Sequence, residues 1–166
     1  GGAVKLTRRR VLVGGAALAA GSAVLFVPGV TAPGARILTI AQLRIVTAIA
    51  EVMFPGAPFP VNGIEAGVPA EVDRIVADVL EPLHATAFCT LLQTLEWGTL
   101  ASRGSKFSSL PAAEREDVLV RWLDPSVFTR RLAAETFRIV LGMAYFANPV
   151  VLGHMGWRAE CGGRAS

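Results

Sequence analysis

From Thr39 to Asn148, apolar residues recur every three or four positions, and prolines or glycines cut the pattern into separate runs. That periodicity places each run's apolar side chains on one face of a helix, and no two-residue alternation long enough for a strand interrupts it. Thr39 can cap a first helix through Ile40, Leu43, Val46, Ile49 and Met53, stopped by Phe54-Pro55-Gly56. Pro58, Pro60, Asn62 and Gly63 keep the next stretch irregular. A second helix follows Gly67-Val68-Pro69, with Val72, Ile75, Val76, Val79 and Leu80 on one side, and Pro82 opens a third that carries Phe88, Leu91, Leu92, Leu95 and Trp97 to about Leu100. After a polar break at 102–109, Ser109-Leu110-Pro111 starts a short helix with Val118, Leu119, Trp122 and Leu123. Asp124-Pro125 is expected to cap a last long helix through Phe128, Leu132, Phe137, Val140, Leu141 and Tyr145, ended by Asn148-Pro149. The predicted fold is all-α, a small bundle of about five helices.

The N-terminus has a different composition. Thr7-Arg8-Arg9-Arg10-Val11-Leu12 gives paired arginines followed by apolar residues, and Val11 to Val30 then runs for twenty positions without a charge. A basic cluster ahead of a mildly apolar, Gly- and Ala-rich stretch has the build of a twin-arginine export signal, with Arg8 and Arg9 as its recognition pair. Twenty residues also suffice to span a hydrocarbon core of ~30 Å. Val30-Thr31-Ala32 is a poor cleavage site because Pro33 follows it. The segment 1–30 is therefore expected to serve as a signal that is retained as a membrane anchor, its arginines on the cytoplasmic side. Residues 31–38, with Pro33 and Gly34, read as a linker, and 39–166 as the helical domain.

The sequence pI near 9.4 belongs to this leader. Lys5, Arg8, Arg9 and Arg10 are the only charges in 1–30; removing those four from sixteen leaves twelve basic residues against thirteen acidic ones in the rest. A nearly neutral body neutralises few phosphates, so nucleic acid is not expected as a partner. The hydrophobic fraction of 52% and mean hydropathy of +0.50 exceed what a small domain hides in its interior, which points to an apolar face for a partner. Cys89 lies in an apolar helical run and reads as a buried thiol rather than half of a bridge to Cys161.

No catalytic constellation emerges. Glu81-Pro82-Leu83-His84 has the Glu-x-x-His spacing of carboxylate-bridged di-iron bundles, but such a site needs two of these pairs plus two further carboxylates. The only other histidine, His154, has no Glu three residues before it. Zinc spacings, a haem attachment motif, a Gly-x-Ser-x-Gly elbow and a phosphate-cradling glycine loop are all missing. The C-terminal stretch from Tyr145 through Asn148-Pro149 to Gly156-Trp157-Arg158 concentrates aromatic groups; Tyr145, Phe146, Trp157 and Arg158 are candidates for a surface anchor, the alternative being a flap packed on its own core.

Taken together, the twin-arginine signal, the first helix ending in Phe54-Pro55, Glu65-Ala66-Gly67-Val68 leading into Val72-Asp73, and the closing Tyr145-Phe146-Ala147-Asn148-Pro149 with Gly156-Trp157 resemble the gluconate 2-dehydrogenase subunit 3 family over residues 5–158. The family's Gly-Gly-Asn-like stretch after the proline is replaced here by Val150-Val151-Leu152-Gly153-His154. The resemblance implies a non-catalytic small subunit, holding no cofactor or metal, that exports and anchors an FAD-dependent dehydrogenase of the glucose-methanol-choline class at the periplasmic, extracytoplasmic face. Cytochromes are among the electron acceptors of complexes that look like this. Competing expectations are a stand-alone membrane-anchored ferritin-like metal enzyme and an extracytoplasmic binding protein with no redox partner.

Overall fold

Five helices of eleven residues or more account for most of the computed structural model, which describes residues 29–124 and 126–156. They are α1 (Ile40–Met53), α2 (Val68–Asp78), α3 (Pro82–Gly98), α5 (Ala112–Trp122) and α6 (Phe128–Phe146). Two short helices, α4 (Leu100–Arg103) and α7 (Pro149–His154), and a 3₁₀ turn at Phe107–Ser109 complete the described helical elements. The all-α expectation holds, and the five long helices lie where the apolar periodicity put them.

Helix α1 is the hub. A reciprocal capping box starts it: the Gln42 N–H donates to the Thr39 hydroxyl at 3.2 Å, and the Thr39 N–H donates to the Gln42 side chain at 2.9 Å. Helices α2, α3 and α5 all pack on α1. Its inward residues, Ile45, Val46, Ala48, Ile49 and Ala50, are all buried. The two alanines let neighbours approach closely. A Cβ on Gly63 would stand 2.7 Å from the Ala50 carbonyl oxygen, so the 55–67 loop reaches α1 only with glycine there. Helix α6 forms a second layer, resting on α2 and α5.

Three boundaries differ from the sequence expectation. Residues 31–38 are no free linker: Leu38 is fully buried, Thr31 and Thr39 form an antiparallel bridge, and the Ala32 N–H donates to the Leu38 carbonyl at 3.0 Å. Helix α6 begins at Phe128, and Asp124 accepts from the Ser126 N–H at 2.8 Å in a local turn instead of capping it; Pro125 lies outside the described residues. Asn148 ends one helix and caps another, its side chain accepting from the Val150 and Val151 N–H groups.

The strap at 31–38 is held by Asp73 of α2, which is 4% exposed. Its carboxylate accepts from the backbone N–H groups of Arg36, Ile37 and Leu38 at 2.6, 3.1 and 2.8 Å. Burial pushes this carboxyl up, but the three N–H donors and the Arg36 charge outweigh burial and hold it below the usual Asp range. At the end of α1, Tyr145 of α6 is fully buried and stacks on Phe54, ring centroids 4.2 Å apart and planes 8° from parallel. Its hydroxyl donates to the Val61 carbonyl at 2.7 Å, tying the end of α1, the 55–67 loop and α6 together.

Two outcomes are expected. Asp73→Ala leaves three backbone donors without their acceptor and should lower unfolding free energy by roughly 3 kcal/mol or more in urea melts, with Asp73→Asn intermediate. A folded-state pKa held down means this contribution is complete above the unfolded value of about 4 and is lost as pH falls through the folded value. The native chain should therefore lose stability below about pH 4 more steeply than Asp73→Ala does. Tyr145→Phe should cost about 1 kcal/mol for the orphaned Val61 carbonyl, and Tyr145→Ala about 4 kcal/mol because a cavity opens under Phe54.

Candidate functional site

Among the described residues, the buried carboxylates and the Tyr145 hydroxyl are spent on the fold. Glu96 is buried, and both of its oxygens accept from Ser108, one from the N–H at 2.9 Å and one from the hydroxyl at 2.7 Å, which fixes the 3₁₀ turn. Asp73 is occupied with the strap. The Tyr145 hydroxyl is pushed up by burial and committed to Val61. Cys89 is half-buried, and burial outweighs a hydrogen bond with Gln42 to raise its thiol, the reverse of what a nucleophilic thiolate needs. Cys161 lies outside the described residues.

Glu81 and His84 stand at the solvent-facing start of α3 with side chains 82% and 66% exposed and 3.9 Å apart. No third ligand joins them, and no group of three or more His, Cys, Asp or Glu converges anywhere among the described residues. The ionic groups on α4 and α5 pair with one another: Arg103 bridges Glu114 and Asp117, and Asp117 also accepts from Arg121 at 3.0 Å. Arg115 reaches across to α1, donating to the Ala48 carbonyl at 3.0 Å and to Glu51 at 2.6 Å. These are the contacts of a scaffold.

Apolar surface is where the molecule departs from a self-sufficient domain. A groove of about 250 Å³ lies between the end of α1, α5 and α6, floored by Met53, Leu119 and Phe137 and rimmed by Glu116 and Arg138. Along α6, the side turned away from the core exposes Phe128 (74%), Leu132 (51%), Ile139 (61%), Met143 (51%) and Phe146 (39%). Its inner side buries Ala133, Ala134, Phe137, Val140, Leu141, Ala144 and Tyr145. The helix is therefore apolar on both faces, a pattern that belongs to a helix covered on both sides.

Of the residues singled out from the sequence, Arg8, Arg9, Trp157 and Arg158 lie outside the described residues. Tyr145, expected at a partner surface, has no exposed surface; it belongs to the core, because its ring fills the space beside Phe54 and its hydroxyl finds a carbonyl there. Phe146 does face outward and closes the exposed stripe. Phe128 and Leu132, counted above with the core positions of the last helix, lie on that stripe instead, and Ile139 and Met143 were passed over. The signal was present: α6 carries more apolar residues than one helical face holds, and Leu132, Ile139 and Phe146 recur every seven positions, with Met143 between.

A model of the family described as gluconate 2-dehydrogenase subunit 3 matches residues 40–163, which takes in every long helix of the bundle. No curated protein and no solved structure matches the chain. With the match extending over well more than half of its length, the chain belongs to the gluconate 2-dehydrogenase subunit 3 family.

Proposed function

We propose that this chain is a non-catalytic small subunit that exports, anchors and stabilises an FAD-dependent dehydrogenase of the glucose-methanol-choline class, the flavin being held by the large subunit. The observation that carries the reading is the family match over residues 40–163, since the family is one of dehydrogenase subunits and a subunit implies a complex. The described residues agree with an accessory role in two respects. Their buried carboxylates hold loops, and their surplus is apolar surface. Proteins that act by association need such surface and need no perturbed acid or base beside it.

Export and anchoring rest on the leader. Arg8 and Arg9 followed by the uncharged run to Val30 supply the twin-arginine signal, a route that carries folded cargo, so a partner already bound to the helical body crosses with it. No helix among the described residues is long and apolar enough to cross a membrane. The anchoring role is accordingly assigned to residues 11–30. The strap gives that assignment a mechanical consequence: because Asp73 ties 36–38 to α2, a retained anchor would lead almost directly into the bundle and restrict how far the body stands from the bilayer. A cytochrome is the expected onward electron acceptor of the complex.

Replacing Arg8 and Arg9 by Lys should trap both this chain and the co-expressed flavoprotein in the cytoplasm, read by fractionation and by dehydrogenase activity with an impermeant electron acceptor. A flavoprotein that still reaches the outer face would end the carrier role. The purified complex should contain one FAD per large subunit, and the small subunit separated from it should contain none. Iron or zinc bound stoichiometrically to the small subunit and lost in His84→Ala would restore the metal-enzyme reading.

A further inference from the structure

Helix α6 resembles a core helix with one cover missing. From Ile139 to Phe146 it has no charged residue, its inner face is sealed by α2 and α5, and its outer face stands in solvent. The outward residues follow steps of four and three, Leu132, Thr136, Ile139, Met143 and Phe146, with Phe128 one turn before. That alternation makes a straight seam along a helix and suits the side-by-side packing of a second helix at a shallow angle. The seam spans most of the nineteen residues of α6, roughly 28 Å at 1.5 Å per residue, long enough for about five turns of contact.

We infer that this seam receives an amphipathic helix of the dehydrogenase subunit, and that α6 is the principal contact between the two chains. The inference rests on the accessory-subunit reading, which supplies a second chain; the seam says where that chain sits and what it presents. The two margins of the seam differ. One carries Arg131, Glu135 and Arg138, with Glu135 and Arg138 3.4 Å apart, and the other carries uncharged Thr129. The incoming helix therefore fits best with large apolar residues at the same four-three spacing and acidic residues along the arginine margin. A second copy of this chain fits poorly. A two-fold antiparallel contact sets a patch against itself, so this margin, two arginines with the single Glu135 already paired to Arg138, would meet its own net positive charge. The groove rimmed by Arg138 adjoins this margin and offers a socket for one apolar side chain beyond the seam.

The test uses the full chain co-expressed with the glucose-methanol-choline flavoprotein subunit. Ile139→Glu and Met143→Glu each place an unpaired carboxylate in the seam and should weaken the complex roughly 30-fold or more. Val79→Glu, at a site 53% exposed that is not among the seam residues, should leave it unchanged. Because the seam faces solvent, both seam variants should melt as the native small subunit does; a lowered melting temperature would mean that the stripe packs within its own chain, and would overturn the assignment. A photo-cross-linking residue at position 143 should yield an adduct with a helix of the flavoprotein. An adduct with a second copy, or with residues 11–30 of the same chain, overturns the proposal, and so do seam variants that keep the complex but lose membrane association. Native affinity in both seam variants with no adduct at 143 also overturns the seam while leaving the accessory role standing. Failure of the native chain to bind the flavoprotein at all overturns that underlying reading instead.

Discussion

The bundle depends on how closely its neighbours can approach α1. Alanines at 48 and 50 and the bare backbone of Gly63 bring α2, α3, α5 and the 55–67 loop against one helix, and the larger groups, Ile45, Val46 and Ile49, fill the space left between them. Close packing of this kind leaves no slack, since adding even one carbon at Gly63 meets backbone. It also decides the fate of α6. With the perimeter of α1 taken by three helices, α6 is relegated to a second layer on α2 and α5. A second-layer helix has an outer face by construction, and in this chain that face is apolar.

Polar groups complete the frame where apolar packing cannot. Asp73 and Glu96 are both buried carboxylates, and each is satisfied by the backbone N–H groups or hydroxyl of a nearby loop. A buried charge so well supplied with donors is a fixed point, and removing its partners costs far more than the contact adds. The two carboxylates do the same job at different places, one holding the strap at 31–38 and the other the 3₁₀ turn between α4 and α5. In both cases the carboxylate oxygens are committed to hydrogen bonds that hold a loop in place.

For a member of the gluconate 2-dehydrogenase subunit 3 family, that division of labour is coherent. Acidic chemistry is turned inward to hold loops, ionic pairs knit α4 to α5 and α5 to α1, and the unsatisfied part of the molecule is hydrophobic. A domain of this size buries a limited fraction of its surface, so an apolar excess on a second-layer helix is stabilised chiefly by association. The strap adds a directional element, because Asp73 fixes residues 36–38 relative to α2.

Much of this was legible in the residues. The 3.6-residue period, the prolines at 55, 69, 82, 111 and 149, and the capping side chain of Thr39 determine the helices locally, because caps and breakers act within a turn or two of where they stand. What the sequence left open was which of two apolar faces of α6 turns inward. Phe128 and Leu132 look as suited to a core as Phe137 and Leu141, and Tyr145 looks as suited to an interface as Phe146. Periodicity fixes which residues share a face, but the choice between faces is made by the shape of the surface that α2 and α5 present, and by the single carbonyl at Val61 that can accept the Tyr145 hydroxyl. The linker was misjudged for the same reason: Pro33 and Gly34 mark a break in helix, while the capture of residues 36–38 depends on a carboxylate more than thirty positions away, brought alongside only when α2 packs on α1.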